Sequence, residues 1–166
     1  MPSTAHADAF HYDAPVQSYW EATAAPLGID TAPLQGEAKT DVAIIGAGFT
    51  GLSAALRLRE AYGMDVTVLD AAEPGWGASG RNGGQVNPGL KYDPDDVEAH
   101  FGADLGRRMV AMSWNAPNVL FDLVRRHQIQ CEASQTGTLR AAYGDASVRG
   151  IRTSYSQGAR RAMPVE

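Results

Sequence analysis

The chain has 166 residues, 44% of them apolar and 20% charged, with a formal net charge of −5 and one cysteine. That size and balance suit a single globular domain, and with ten acids to four bases in residues 1–83 and nine to ten in residues 84–166 there is no basic block to serve a nucleic acid. The single thiol excludes an internal disulfide framework, the five acids in the first 40 residues exclude a signal-peptide pattern, and no apolar run reaches the ~18–20 residues of a membrane span, so a cytoplasmic protein is the expectation.

Residues 1–40 are rich in Ala, Pro, Thr and Asp and read as an N-terminal arm. Within it Ser18-Tyr19-Trp20 either packs onto the domain or belongs to a loosely ordered lead-in. The apolar run Val42-Ala43-Ile44-Ile45 predicts a strand buried on both faces, as in a parallel sheet. Residues 50–62 predict a helix closed by Gly63, and Val66-Thr67-Val68-Leu69 a second strand. Strand, helix and strand form one βαβ unit, for which a right-handed crossover is expected.

Residues 71–92 read as a long glycine-rich loop, a length that calls for a functional reason. Asp93-Pro94 predicts a helix start, with Asp as N-cap and Pro at the first helical position. A longer helix is predicted over 104–127, kinked or divided by Pro117. Residues 138–143 suggest a strand, and 145–163 a weak helix broken by Gly150 and Gly158. The expected fold class is therefore α/β: an FAD/NAD(P)-binding, Rossmann-like domain over 41–166, with a central parallel sheet and then a mostly helical segment.

Gly46-Ala47-Gly48-Phe49-Thr50-Gly51 fits the dinucleotide fingerprint because it follows a predicted strand and opens a predicted helix. Gly46 permits the tight turn, Gly48 lets a pyrophosphate approach the backbone, and Gly51 lets the helix lie close to the sheet. Unpaired N–H groups at the helix start suit the diphosphate, as does its partial positive charge. Asp70, 19 residues after Gly51 and followed by Ala71, stands where a carboxylate accepts from an adenosine ribose and repels a 2′-phosphate. This motif alone leaves FAD and NAD both open.

The second motif is Gly75-Trp76-Gly77-Ala78-Ser79-Gly80-Arg81-Asn82-Gly83-Gly84-Gln85. An NAD site needs no such run, whereas an FAD site continues toward a large ring. Glycines allow close backbone approach, and successive N–H groups form anion-binding concavities. Arg81 supplies a positive charge for a phosphate or for the anionic reduced flavin.

Residues 41–70, followed by Gly77-Ala78-Ser79-Gly80-Arg81-Asn82-Gly83-Gly84, resemble the D-amino-acid-oxidase-type FAD-dependent oxidoreductases. The resemblance covers roughly residues 18–145 and is closest to the gamma-glutamylputrescine oxidoreductase branch; Ser18-Tyr19-Trp20 and Gln128-Ile129-Gln130-Cys131-Glu132 add to it. It implies FAD held across a Rossmann-like domain and oxidation of a C–H next to the nitrogen of a small-molecule amine or amino acid, with reoxidation by oxygen. It also implies that Gly46, Gly48 and Gly51 hold the pyrophosphate, with Ala47, Phe49 and Thr50 between them. Asp70 and Ala71 lie at the ribose, and Gly77, Ser79, Gly80, Arg81, Asn82, Gly83, Gly84 and Gln85 toward the flavin.

Some relatives tether flavin through a histidine in this loop; its absence here implies non-covalent FAD. Family members run to roughly 400 residues, more than the single domain that 166 residues allow, so the chain reads as an N-terminal part whose substrate domain is largely missing. Rival readings are an NAD-dependent dehydrogenase and a non-catalytic flavin-binding remnant.

No catalytic residue is readable. His6, His11, His100 and His127 lack metal-ligand spacing, and Cys131 reads as a semi-buried structural thiol. Trp76 and Trp114 read as packing residues. The Arg107-Arg108 and Arg125-Arg126 pairs read as solvated helix faces.

Overall fold

The computed structural model describes residues 18–24, 28–29 and 31–166. The lead-in before Ser18, with His6 and His11, lies outside them. The described chain divides after Gly84 into two compact units.

The first unit contains α1 (Tyr19–Thr23), β1 (Val42–Ile45), α2 (Phe49–Tyr62), β2 (Val66–Leu69) and a short 3₁₀ turn, Ala78–Gly80. β1 and β2 pair in parallel from Val42↔Val66 to Ile45↔Leu69. The ladder is started by Asp65, whose carbonyl accepts the N–H of Asp41 at 3.1 Å and of Val42 at 3.2 Å. The Asp41 carboxylate accepts the Asp65 N–H in return, at 2.8 Å. Parallel neighbours need a crossover, and α2 provides it. α2 ends as its sequence predicts: Gly63 is left-handed (φ 63°) and donates its N–H to the Arg59 carbonyl at 3.0 Å.

Gly51 governs how closely α2 meets the sheet. A Cβ there would overlap the Gly46 carbonyl oxygen and lie 3.2 Å from Ile44 Cγ2. Any side chain would push α2 off β1 and open the turn that joins them.

One strand expectation is corrected. β1 is not buried on both faces: Ala43 and Ile45 are exposed, Ile45 to 81%. Two strands and one helix shield a single face, here that of Ile44, and among the described residues nothing covers the other.

The second unit contains α3 (Pro94–Phe101), α4 (Ala103–Arg126) and α5 (Asp145–Arg160). Its core is small: Val97, Val110 and Phe121 are buried. Withdrawing a valine of this kind from water is worth about 2 kcal/mol. α3 and α4 touch at Gly106, where a Cβ would come within 2.5 Å of Glu98 Cα.

The start of α3 differs from the sequence expectation in one respect. Pro94 occupies the first turn, but the Asp93 side chain makes no capping bond. Its carboxylate instead accepts from the Ser154 hydroxyl at 2.8 Å. The cap comes from α5: the buried Gln157 accepts the Asp95 N–H through Oε1 at 2.9 Å. Arg161, just past α5, ties Asp95 and Glu98 together, both at 2.7 Å. Hydrogen bonding by Arg161 lowers the Asp95 pKa below its ordinary value.

Three further expectations are corrected. α4 is not divided at Pro117 but runs unbroken from Ala103 to Arg126. Proline removes the N–H that would bond the Ser113 carbonyl, and that carbonyl accepts the Gly89 N–H at 3.1 Å, so a loop stands in for the missing turn. α5 is continuous through Gly150 and Gly158; Gly158 is buried, with Val165 packed against it. Residues 138–143 form no strand, and with Leu139 and Tyr143 almost fully exposed no burial holds an extended segment there.

Candidate cofactor site

The site begins where β1 becomes α2. Gly46 (φ 104°) extends the ladder by donating its N–H to the Leu69 carbonyl at 2.7 Å, and the chain then turns into the helix at Gly48. Gly48 is the N-cap and has no side chain with which to cap. The N–H groups of Gly48, Thr50 and Gly51 have no acceptor among the described residues. They sit at the positive end of the helix dipole and are free to bind an anion.

The missing cap is supplied from 30 residues away. Ser79 Oγ accepts the Phe49 N–H at 2.9 Å, and a Cβ on Gly48 would approach the same oxygen to 2.9 Å. A second link runs beside it, from the Gly75 N–H to the Ala47 carbonyl at 3.0 Å. The two glycine motifs are thus clasped to one another inside the first unit.

Asp70 follows β2 and faces the same turn. Its carboxylate accepts the Ala47 N–H through Oδ2 and the Ala72 N–H through Oδ1, the latter at 3.0 Å. These bonds, Ala47 first and Ala72 next, hold its pKa below the ordinary carboxylate value, with a smaller share from Ala71. Asp70 is exposed, so it remains an anion with lone pairs to spare at the edge of the glycine turn.

The second motif is braced from within. Gly77 precedes the 3₁₀ turn that carries Ser79 and Gly80. Asn82 donates to the Ser79 carbonyl at 2.7 Å and accepts the Gly84 N–H at 2.8 Å. Arg81 stacks over Trp76, 4.3 Å from the ring centroid, and donates from Nε to the Trp76 carbonyl at 2.8 Å. A Cβ built on Gly83 would meet only open space. Gln85 is exposed and begins the second unit.

Sequence reasoning missed the cap role of Ser79, although a signal existed: a helix opening on glycine needs an acceptor from elsewhere. Of the two readings of Ser18-Tyr19-Trp20, packing onto the domain is the one seen, and the sequence did not single out this loop as the place it packs. Cys131 is exposed rather than semi-buried. Among the described residues no cluster of His, Cys, Asp and Glu fits a metal ion, and no helix is long and apolar enough to cross a membrane.

A strand, a glycine turn, a helix with free amides and a parallel strand tipped by an ionised acid together define a protein of the nucleotide-cofactor class. Comparison with known proteins makes this specific: residues 41–166 match the FAD dependent oxidoreductase family, DAO, and the chain belongs to that family. Its cofactor is FAD.

Over 92 residues the chain is 44% identical to gamma-glutamylputrescine oxidoreductase of Escherichia coli, covering 55% of this chain and 21% of that protein. Over 99 residues it is 42% identical to the probable oxidoreductase OrdL of Rhizobium meliloti, covering 60% and 23%. A probable oxidoreductase OrdL of Haemophilus influenzae is 40% identical over 100 residues, covering 60% and 23%. The chain thus spans about a fifth of the length of these relatives. No solved structure matches it.

Proposed function

We propose that the chain is the FAD-holding portion, built on a Rossmann-like domain, of an oxidoreductase that oxidises the C–N bond of an amine or amino acid. Gamma-glutamylputrescine is the leading substrate, on the strength of the 44% identity to the Escherichia coli enzyme of that name. The observation that carries the FAD reading is the clasp between the two glycine motifs, Ser79 Oγ to the Phe49 N–H at 2.9 Å. It brings the flavin-side loop of the second motif to the phosphate-binding turn of the first.

In this reading the N–H groups of Gly48, Thr50 and Gly51 hold the diphosphate, and Asp70 accepts from the ribose hydroxyls. Its lowered pKa keeps it charged at neutral pH, which disfavours a 2′-phosphate. Ser79, Arg81, Asn82, Gly83, Gly84 and Gln85 lie toward the flavin. Residues 75–85 contain no histidine to tether the flavin, which favours a non-covalent hold in this loop. FAD held by these residues would supply the acceptor for a hydride equivalent from the carbon beside the amine nitrogen, with oxygen as the final oxidant. The protein's part is orientation and electrostatics.

Two measurements test this. Titration of the chain with FAD and with NAD, followed by fluorescence, is expected to show tight FAD binding; tight NAD binding with none of FAD overturns the cofactor assignment. Full-length protein mixed anaerobically with gamma-glutamylputrescine is expected to lose its flavin absorbance. Bleaching by other amines and not by this one moves the substrate elsewhere in the class.

A further inference from the structure

Ser18-Tyr19-Trp20 has no part in the proposed hold on FAD, yet it touches the flavin-side loop. Ser18 starts α1, accepting the Glu21 N–H at 3.1 Å. Its hydroxyl also donates to the Gly80 carbonyl at 3.4 Å. Two residues on, the Trp20 indole lies over Gly84: a Cβ built on that glycine would sit 3.8 Å from the ring. Tyr19 packs edge-on against the same indole, with centroids 5.3 Å apart.

These contacts fall at the two ends of one turn. Gly80 closes the 3₁₀ turn that carries Ser79, and Gly84 ends the Asn82 brace. Between them lies a continuous path. Trp20 rests on Gly84, Gly84 donates to Asn82, Asn82 donates to the Ser79 carbonyl, and Ser79 Oγ caps α2. A glycine-dense turn left to itself samples many conformations. An indole laid on one end and a hydroxyl tied to the other reduce that freedom without adding a side chain to the turn.

We propose that α1 is a strap that holds residues 80–84 in their cofactor-binding shape, with Trp20 and Ser18 as its positioning residues. Neither residue is placed in the binding machinery. They act through the loop, so their loss shows first in how long FAD stays bound. This rests on the proposed FAD function, and the experiment separates the two.

Full-length protein carrying Trp20→Ala, Trp20→Phe or Ser18→Ala is compared with the parent in three ways: FAD release after dilution, followed by recovery of flavin fluorescence; hydrogen exchange at the amides of 80–85; and far-ultraviolet circular dichroism. Trp20→Ala is expected to speed FAD release about fivefold to tenfold, since contact losses fall mainly on the off-rate. It is expected to speed exchange at 80–85 as well, with unchanged helix content. Trp20→Phe, which keeps a ring over Gly84, is expected to recover most of the loss. Unchanged release and exchange in Trp20→Ala overturns the strap while leaving the FAD reading intact. Loss in Trp20→Ala without recovery in Trp20→Phe, or with a general loss of helix, also overturns it. A parent protein that binds no FAD overturns the FAD reading itself, and exchange at 80–85 then still decides whether α1 holds the loop.

Discussion

Ser79 caps a helix to which it does not belong: its hydroxyl oxygen accepts the Phe49 N–H at 2.9 Å, 30 residues back along the chain. A serine hydroxyl in a capping bond is worth about 1 kcal/mol of stability. Here the bond also fixes the second glycine motif against the turn of the first. Ser79→Ala is therefore expected to lower stability by roughly 1 kcal/mol in urea unfolding and to weaken FAD binding in a fluorescence titration. Ser79→Thr keeps the oxygen and is expected to retain most of both. Equal FAD affinity in Ser79→Ala and the parent would show that the clasp has no bearing on the cofactor.

Asp70 gives the protein an acid-sensitive contact. The Ala47 and Ala72 N–H bonds lower its pKa in the folded chain. A carboxylate of this kind contributes stability that is complete above its unfolded value, near 3.8, and is lost as the pH falls through the lower, folded value. Asp70→Asn cannot ionise. The urea midpoint of the parent is expected to fall more steeply than that of Asp70→Asn as the pH drops below about 4. Parallel curves would mean that the two N–H bonds do not discriminate the charged form.

Pro117 frees the Ser113 carbonyl, and Gly89 uses it. Pro117→Ala restores an N–H inside α4 and is expected to stabilise that helix, with the interior proline penalty of about 3 kcal/mol as the upper bound. The restored donor competes for the Ser113 carbonyl. The Gly89 amide is therefore expected to exchange with solvent about fivefold faster, in line with the net worth of one hydrogen bond. Slower or equal exchange at Gly89 would show that the loop is anchored by other contacts.

Gly106 tests the packing of α3 on α4. A methyl there meets Glu98 Cα at 2.5 Å, and backbone cannot swing aside as a side chain can. Gly106→Ala gains helix propensity but forces the two helices apart. The overpacking term, about 1–3 kcal/mol, exceeds the propensity gain of roughly 1 kcal/mol, so a lower melting temperature is expected. A rise would mean that α3 moves freely on α4.

The βαβ start was legible in the sequence because its causes are local. Four apolar residues before a glycine, a helical period closed by Gly63, and four apolar residues before Asp70 each act over a few residues of chain. The glycine turn was legible for the same reason: its backbone N–H groups exist whatever the rest of the fold does. The second motif was readable as a loop, and its proposed role toward the flavin rests on its glycines and polar residues together with the resemblance.

What depended on the path of the whole chain was not legible. That Ser79 caps α2, that Gln157 rather than Asp93 caps α3, and that Gly89 takes the carbonyl Pro117 leaves free all involve partners far apart in sequence. The exposed face of β1 likewise came from which neighbours are present. Periodicity reports which side of an element is apolar; it carries no information on what arrives to cover that side, or on which distant donor meets a spare acceptor. The sequence by itself therefore determined the glycine turn and the acid that follows β2, while the tertiary structure alone decided that Ser79 of the second glycine motif is held against Phe49 of the first.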